Sequence, residues 1–336
     1  MSKRDATTGD IVLEARGLTV EFGAGSGVVR PVDGVDLMLR RGEMLGLVGE
    51  SGSGKSVTSL AITGLTEYTG GRIVAGSVRL GGTDVLALTP KQRSAILGRD
   101  IGMIFQQPRR SLNPTMSVGG QIAESVRRHR GGSRKDAWAR AVEMLDRVRI
   151  PDAARRAHEM PFSFSGGMAQ RVMIAMALAC EPSVLIADEP TTALDATVQA
   201  RVMELLAELQ HDLDVAVLLI THDLGVASGT CDRIAVMYCG QIVEEGPTAD
   251  VLVRASHPYT KGLLAATPRR GRGGRLDPIP GSVPPPDEIP PGCRFHPRCS
   301  MFAPGVCDTE VIDLVHRGEG RADRCVHPQT AASLSV

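Results

Sequence analysis

The stretch GESGSGKS, residues 49–56, constrains this fold more than any other part of the chain. It fits the pattern G-x-x-x-x-G-K-[ST]. EMLGLVG (43–49) before it reads as a buried strand, and KSVTSLAITGL (55–65) after it reads as a helix. A strand that breaks into glycines and re-enters a helix lets backbone N–H groups close around phosphate oxygens, with the helix N-terminus adding positive potential. Gly49, Glu50, Ser51, Gly52, Ser53 and Gly54 are the expected cradle. Lys55 is placed to reach the β- and γ-phosphates, and the Ser56 hydroxyl to bind Mg²⁺. The chain is therefore expected to bind a nucleoside triphosphate.

The remaining pattern supports an α/β fold. IVLEARGLTVEF (11–22) alternates as one or two strands, and VRLGGTDVLAL (78–88) reads as strand, Gly-Gly turn and strand. From about 115 to 182 the spacing turns helical, in IAESVRRHR, DAWARAVEMLDRVRI and AQRVMIAMALAC. VLIAD (184–188), TVQARVMELLAELQHDL (197–213) and VAVLLITHD (215–223) follow as strand, helix and strand, and RIAVMYCGQIVEEG (233–246) reads as a closing hairpin. Strands alternating with helices imply a mostly parallel sheet interrupted by a helical insertion.

VLIADEP (184–190) is an apolar strand that ends in two acids. Beside a phosphate loop, Asp188 suits Mg²⁺, and Glu189 suits the general base for the attacking water. Taken alone, such a pair also fits a helix cap or a solvated loop. FSGGMAQR (164–171) opens a helix at Ser165, Gly166 and Gly167, a second helix start suited to an anion. A plain N-cap is the alternative for that segment by itself.

The motifs come in the order Gly49–Ser56, Gln106 in FQQP, Ser165–Arg171, Asp188–Glu189, TALD (192–195) and His222 in THD. This series resembles the nucleotide-binding subunit of ATP-binding-cassette (ABC) transporters, over residues 10 to about 250. The resemblance implies a RecA-like P-loop NTPase core carrying a helical subdomain at about 110–182. It implies that Phe22 stacks on adenine and that Gln106 senses Mg²⁺ and the attacking water. Ser165, Gly166 and Gly167 would bind the γ-phosphate of ATP held by a partner subunit. Asp195 would lie at the dimer contact, and His222 would hydrogen-bond the γ-phosphate. The usual L-S-G-G-Q signature reads Phe164-Ser165-Gly166-Gly167-Met168 here; the positions that would touch phosphate are kept.

HPYTKGLL (257–264), IPGSVPPP (279–286), PPGCRFHPRC (290–299) and FQQPRRSLNP (105–114) resemble oligopeptide, dipeptide and nickel importer ATPases. The resemblance then covers nearly the whole chain and makes 251–336 a small irregular C-terminal extension. It implies a bacterial machine at the cytoplasmic face of the inner membrane, with two membrane permease subunits and an extracellular solute-binding protein. A second ABC ATPase subunit, either a related but different chain or another copy of this one, completes it. Arg109 to Pro114 would lie where a membrane subunit docks. Peptide and nickel are both open as cargo, and a non-transport ABC ATPase of DNA repair or translation is the weaker reading, since no long coiled coil, second cassette or basic excess shows in the sequence.

Composition agrees with a peripheral, non-nucleic-acid role. Lys+Arg and Asp+Glu both total 38, so there is no basic excess. The longest apolar runs, VMIAMALAC (172–180) and VAVLLI (215–220), are too short to span a bilayer. The basic run RRHRGGSRK (127–135) reads as a solvated face. In PIPGSVPPPDEIPP (278–291) seven of fourteen residues are proline, an extended and stiff connector.

Seven cysteines divide into two groups. Cys180, Cys231 and Cys239 fall in core elements and read as small buried residues. Cys293, Cys299, Cys307 and Cys325 form C-x5-C-x7-C-x17-C, without the short C-x2-4-C pair of most zinc sites. Four thiolates also suit a [4Fe–4S] cluster, and the peptide-importer resemblance implies one. Zn²⁺ and free or redox-active thiols stay as alternatives; His296 and His327 are further ligand candidates, but the His-Pro that recurs at 257–258 makes them read as structural.

Overall fold

The computed structural model describes residues 10–23, 27–192, 194–267 and 277–327. The polar N-terminal residues 1–9, the Gly- and Arg-rich stretch 268–275 and Ala193 of TALD lie outside the described residues. The chain divides into two compact units. The first holds the chain up to Met38, Met44–Leu86 and the chain from Thr221 onward; the second holds Leu39–Glu43 and Ala87–Ile220.

In the first unit, Ile11–Phe22 is one strand, bent by irregular register between Arg16 and Val20. It pairs antiparallel with Gly71–Leu80, from Leu13 opposite Leu80 to Phe22 opposite Gly71. Val29–Arg40 flanks it on the other side, and the two-residue strand Thr83–Asp84 closes the sheet beyond Gly71–Leu80. The sequence pattern does not single out Val29–Arg40. Its alternation is interrupted by Pro31 and Gly34, which weaken a strand reading.

A parallel pair, Met44–Val48 beside Arg233–Tyr238, forms the other sheet of this unit. All residues of both strands are buried, as expected of parallel strands covered on both faces. The expected hairpin forms when Gln241–Pro247 folds back on Arg233–Tyr238. The extension then contributes two short strands. Arg321–Asp323 pairs with Gln241–Pro247, placing Asp323 opposite Glu244, and Val315–Gly318 forms the edge. A mostly irregular segment is thus stitched onto the sheet whose strand Met44–Val48 leads into residues 49–56.

In the second unit, Ile101–Ile104, Val184–Asp188 and Ala216–Thr221 run parallel. The helical region contains Pro108–Ser111, Val118–Arg130, Arg134–Arg147, Ala153–Arg156 and Gly166–Leu178. Ser117 and Ser133 cap two of these helices by accepting the amides of Gly120 and Asp136. Arg134–Arg147 buries Ala137, Ala141, Met144 and Leu145, one face at helical spacing. Gly166–Leu178 differs: Val172, Met173, Ile174 and Ala175 are all fully buried, so this helix is enclosed rather than amphipathic. The basic run after Val126 is exposed at most positions, and Arg130 pairs with Glu181 at the surface.

Candidate functional site

Candidate nucleotide-site residues fall in both units. Residues 49–56, Phe22 and His222 belong to the first. Gln106, Ser165–Gly167, Asp188, Glu189 and Asp195 belong to the second.

The loop 49–56 is shaped by contacts that only glycine permits. A Cβ on Gly49 would stand 2.2 Å from the Met237 carbonyl oxygen, and one on Gly54 would stand 2.1 Å from that of Pro31. Gly54 also has φ +104°, a conformation L side chains rarely adopt. Lys55 opens the helix Lys55–Thr63 and is 5% exposed. Its ammonium donates to the carbonyls of Gly49 (2.8 Å) and Glu50 (2.9 Å) and lies 3.4 Å from Ser53 Oγ. The loop thus curls around its own lysine, while Ser56 is exposed on the first turn of the helix. Phe22 is half-buried at the end of its strand and packs on Gly71, where a Cβ would come within 2.6 Å of its ring.

In the second unit the buried strand Val184–Asp188 delivers two acids at its end. Asp188 is still in register with Ile220, and the Glu189 amide donates to the Ile220 carbonyl at 2.9 Å. Glu189 then adopts φ +46°, so the chain turns sharply at the proposed base. Its carboxylate Oε2 accepts from Gln106 Nε2 at 2.8 Å and from Thr192 Oγ1 at 2.7 Å. The structure therefore brings Gln106 and Glu189, 83 residues apart, into one hydrogen-bonded group. Thr192 is the member that the sequence reading missed, although it lies inside the TALD motif.

Ser165 and Asp195 are both N-caps. Ser165 Oγ accepts the Met168 amide at 3.3 Å, and Asp195 Oδ1 accepts those of Thr197 (3.1 Å) and Val198 (3.0 Å). Gly167 lies where a Cβ would meet Val198 Cγ1 at 2.6 Å, so the two helix starts sit close together. Arg109 donates to the Phe164 carbonyl at 3.1 Å, tying the start of 109–114 to the residue before Ser165. His222 follows the strand Ala216–Thr221 and is exposed.

The cysteines behave differently in the two groups. Cys180, Cys231 and Cys239 are buried, and burial pushes the Cys231 thiol up to about 12 and the Cys239 thiol up to about 11. In the extension, the Cys293 amide donates to the Cys307 carbonyl at 2.7 Å. Cys299 Sγ accepts the Met301 amide at 3.3 Å and Cys325 Sγ that of His327 at 3.4 Å. Burial raises the thiols of Cys293, Cys299 and Cys325, and charge on neighbouring cysteines raises them further. The cysteines of the extension are thus near enough to feel one another's charge. Even so, among the described residues no group of three or more His, Cys, Asp or Glu is arranged to hold a metal ion. A ready-made iron–sulfur or zinc site is thus not present in this conformation. His296 stacks on Phe302 and bonds the Cys293 carbonyl, a local brace in line with a structural role.

Comparison with known proteins decides the family. The family model for the ABC transporter matches residues 32–192. The oligopeptide transport ATP-binding protein AppD of Bacillus subtilis (strain 168) is 47% identical over 315 residues, covering 94% of this chain and 96% of that protein. The chain belongs to the ABC transporter ATP-binding proteins. A second family model, for the C-terminal region of oligopeptide/dipeptide transporters, matches residues 243–307. Among solved structures, the ATP-binding cassette MJ0796, in a dimeric post-hydrolysis state with ADP and Pi, aligns with TM-score 0.62 and 29% identity. It covers 70% of this chain and 98% of that one. CbiO1 from Clostridium perfringens, part of the ABC transporter complex cbiONQ, aligns with TM-score 0.62 and 26% identity over 72% of this chain and 90% of its own.

The fold is therefore that of an ABC ATPase: a P-loop NTPase core with a helical region and a C-terminal extension. No helix among the described residues is long and apolar enough to cross a membrane. Residues of the extension also reach the loop 49–56, and sequence reasoning missed them. Arg298 and Tyr259 lie inside PPGCRFHPRC and HPYTKGLL. Those segments were legible as marks of a subfamily, not as partners of Glu50.

Proposed function

We propose that this chain is the ATP-hydrolysing subunit that powers a di- or oligopeptide importer. Two ATPase subunits, the second a related chain, would act on two permease subunits at the cytoplasmic face of the membrane, fed by an external binding protein. The observation that carries the peptide assignment is the extension. It matches the oligopeptide/dipeptide transporter region, and the likeness to a peptide-transport relative runs through both parts of the chain. We assign 10–250 to the nucleotide-binding domain, with its helical subdomain at about 110–182, and 251–336 to the extension.

In this reading the loop amides and Lys55 bind the ATP phosphates. Ser56, Asp188 and Gln106 would hold Mg²⁺, which would supply positive charge against the phosphoryl group being transferred. Glu189 takes the proton of the attacking water. Gln106 and Thr192 fix the carboxylate through one oxygen, which orients it without relying on solvent. His222 contacts the γ-phosphate. Ser165, Gly166 and Gly167 offer a helix N-terminus to the partner's ATP, Asp195 contributes to the dimer contact and Phe22 to the adenine contact. Residues 109–114 receive the permease.

We also retain the [4Fe–4S] cluster on Cys293, Cys299, Cys307 and Cys325 as the role of the extension's thiols, with Zn²⁺ as the alternative. Its support is the donor set: four cysteines in one segment, with backbone N–H groups donating to the sulfurs of Cys299 and Cys325. Iron, sulfide and zinc analysis of anaerobically purified protein tests it. Absence of all three, or zinc without sulfide, removes the cluster.

Uptake of labelled di- and tripeptides by cells with and without the gene tests the transport reading. Loss of peptide uptake is expected. Intact peptide uptake with lost nickel uptake overturns the peptide assignment in favour of the metal cargo.

A further inference from the structure

Glu50 is the second residue of the phosphate loop, and its main chain fixes the lysine: its carbonyl accepts from Lys55 Nζ at 2.9 Å and from the Ser53 amide at 3.2 Å. Both of its other polar groups are held from the C-terminal part of the chain. Arg298 Nη1 and Nη2 donate to the two carboxylate oxygens at 2.8 and 3.1 Å, and the Glu50 amide donates to the Tyr259 hydroxyl at 2.9 Å.

Arg298 is held from several sides. Its side chain is 5% exposed, while that of Glu50 is 31% exposed. Its Nε donates to the Pro280 carbonyl at 2.9 Å, and its guanidinium lies over the Tyr238 and Phe295 rings at 5.8 and 5.9 Å. A two-pronged arginine–carboxylate pair fixes direction as well as distance. Losing the carboxylate would leave a largely buried guanidinium short of its counter-charge.

The Tyr259 arm is equally well supported. The Tyr259 ring packs on Tyr238 (4.6 Å) and Phe295 (5.3 Å), and its amide donates to His257 Nδ1 at 3.1 Å. The fully buried His257 ring also bonds the Arg324 backbone. One arm therefore starts beside Cys299 and the other beside Cys325, and both end on Glu50.

We propose that Arg298 is a positioning residue for the phosphate loop, acting through Glu50, so that the cysteine-bearing extension and nucleotide binding are energetically coupled. This rests on the reading of residues 49–56 as the ATP site. If the extension biases the loop, nucleotide must bias the extension by the same factor, because coupling free energies are reciprocal.

The test uses the full-length chain. Nucleotide affinity is measured with a fluorescent ATP analogue and turnover by phosphate release, for wild type, Arg298→Gln, Arg298→Lys, Glu50→Gln and the Arg298→Gln/Glu50→Gln double variant. Thermal melting without nucleotide is measured in parallel. Arg298→Gln and Glu50→Gln are each expected to weaken nucleotide affinity and raise KM about 5- to 20-fold, with kcat changed less. The double variant should be no weaker than the weaker single variant, and Arg298→Lys should recover part of the loss. Hydrogen exchange in wild type should show ATP slowing the 293–300 backbone, and Glu50→Gln should abolish that slowing. Lower melting temperature with unchanged affinity, additive losses in the double variant, or exchange at 293–300 indifferent to ATP would each overturn the proposal. The exchange measurement needs no Arg298 variant, so a misfolded Arg298→Gln protein does not rescue it. Wild type that fails to bind nucleotide removes the ATP-site reading as well; wild type that binds it without coupling removes this proposal alone.

Discussion

The phosphate loop and the cysteine-bearing extension contrast in how they are built. The loop is eight consecutive residues recognisable by their spacing: glycines, two of them where a Cβ would strike the Met237 or Pro31 carbonyl, then a helix start. The extension has little regular structure, and its order comes from distant partners. Phe295 is 3% exposed because it lies among Tyr238, Tyr259 and His257. Arg294 pairs with Asp33 and donates to the Cys239 carbonyl. A local motif advertises itself in sequence; a segment held by scattered side chains does not. The lesson is that the segment that looks like an appendage is tied into the same unit as the loop.

The largest effect should separate chemistry from architecture. Glu189→Gln is expected to lower ATP turnover roughly 10²–10⁴-fold while nucleotide binding and melting temperature stay near wild type. Near-normal turnover would remove Glu189 as the base.

Next in size is the aromatic cluster. Phe295→Ala should cost about 3–4 kcal/mol, because it empties the space between two tyrosines and a buried histidine. A denaturant midpoint that hardly moves would show that the extension is only loosely attached.

A smaller effect should appear with pH. Burial holds His257 neutral and lowers it from its ordinary value near 6.5 to about 3. The unfolded chain therefore takes up a proton before the folded one does. The stability His257 allows is fully present above pH 6.5 and is lost progressively as pH falls towards 3. One such group gives a slope of about 1.4 kcal/mol per pH unit, or about 2 kcal/mol between pH 6.5 and 5. Glu244, whose carboxyl burial raises, works in the opposite direction. Denaturant titrations of wild type and His257→Asn should show the variant with a flatter acid limb; parallel curves would refute the assignment.

The smallest effect concerns the second helix start. Ser165→Ala removes the cap on Gly166–Leu178 and should cost about 1 kcal/mol of stability, read as a modest drop in melting temperature. A loss several times larger would mean that Ser165 does more in the isolated chain than cap a helix.

Much of the core was legible because period and punctuation report local geometry. Met44–Val48, Val184–Asp188 and Ala216–Thr221 are buried strands where the apolar runs predict them. Val29–Arg40 was not, since Pro31 and Gly34 break its alternation and pairing to Ile11–Phe22 supplies the order. The proline-rich connector bends at Pro280 and Gly281 and turns where the Glu288 amide donates to the Pro285 carbonyl; Pro280 and Gly281 also present carbonyls to Arg298, and Ile279 packs under Gly262. Four cysteines could be counted and spaced, but no spacing says whether the thiols converge.

By itself, then, the sequence determined the phosphate loop, the acids at the strand end, the order of the motifs and the family that order implies. These depend on residues adjacent in the chain or on one element's period. Only the tertiary structure decided that Gln106 and Thr192 share Glu189, that Asp195 and Ser165 serve as caps, and that Arg298 grips Glu50 from 248 residues away. Those are directional hydrogen bonds, and their partners are chosen by where the packed elements carry them.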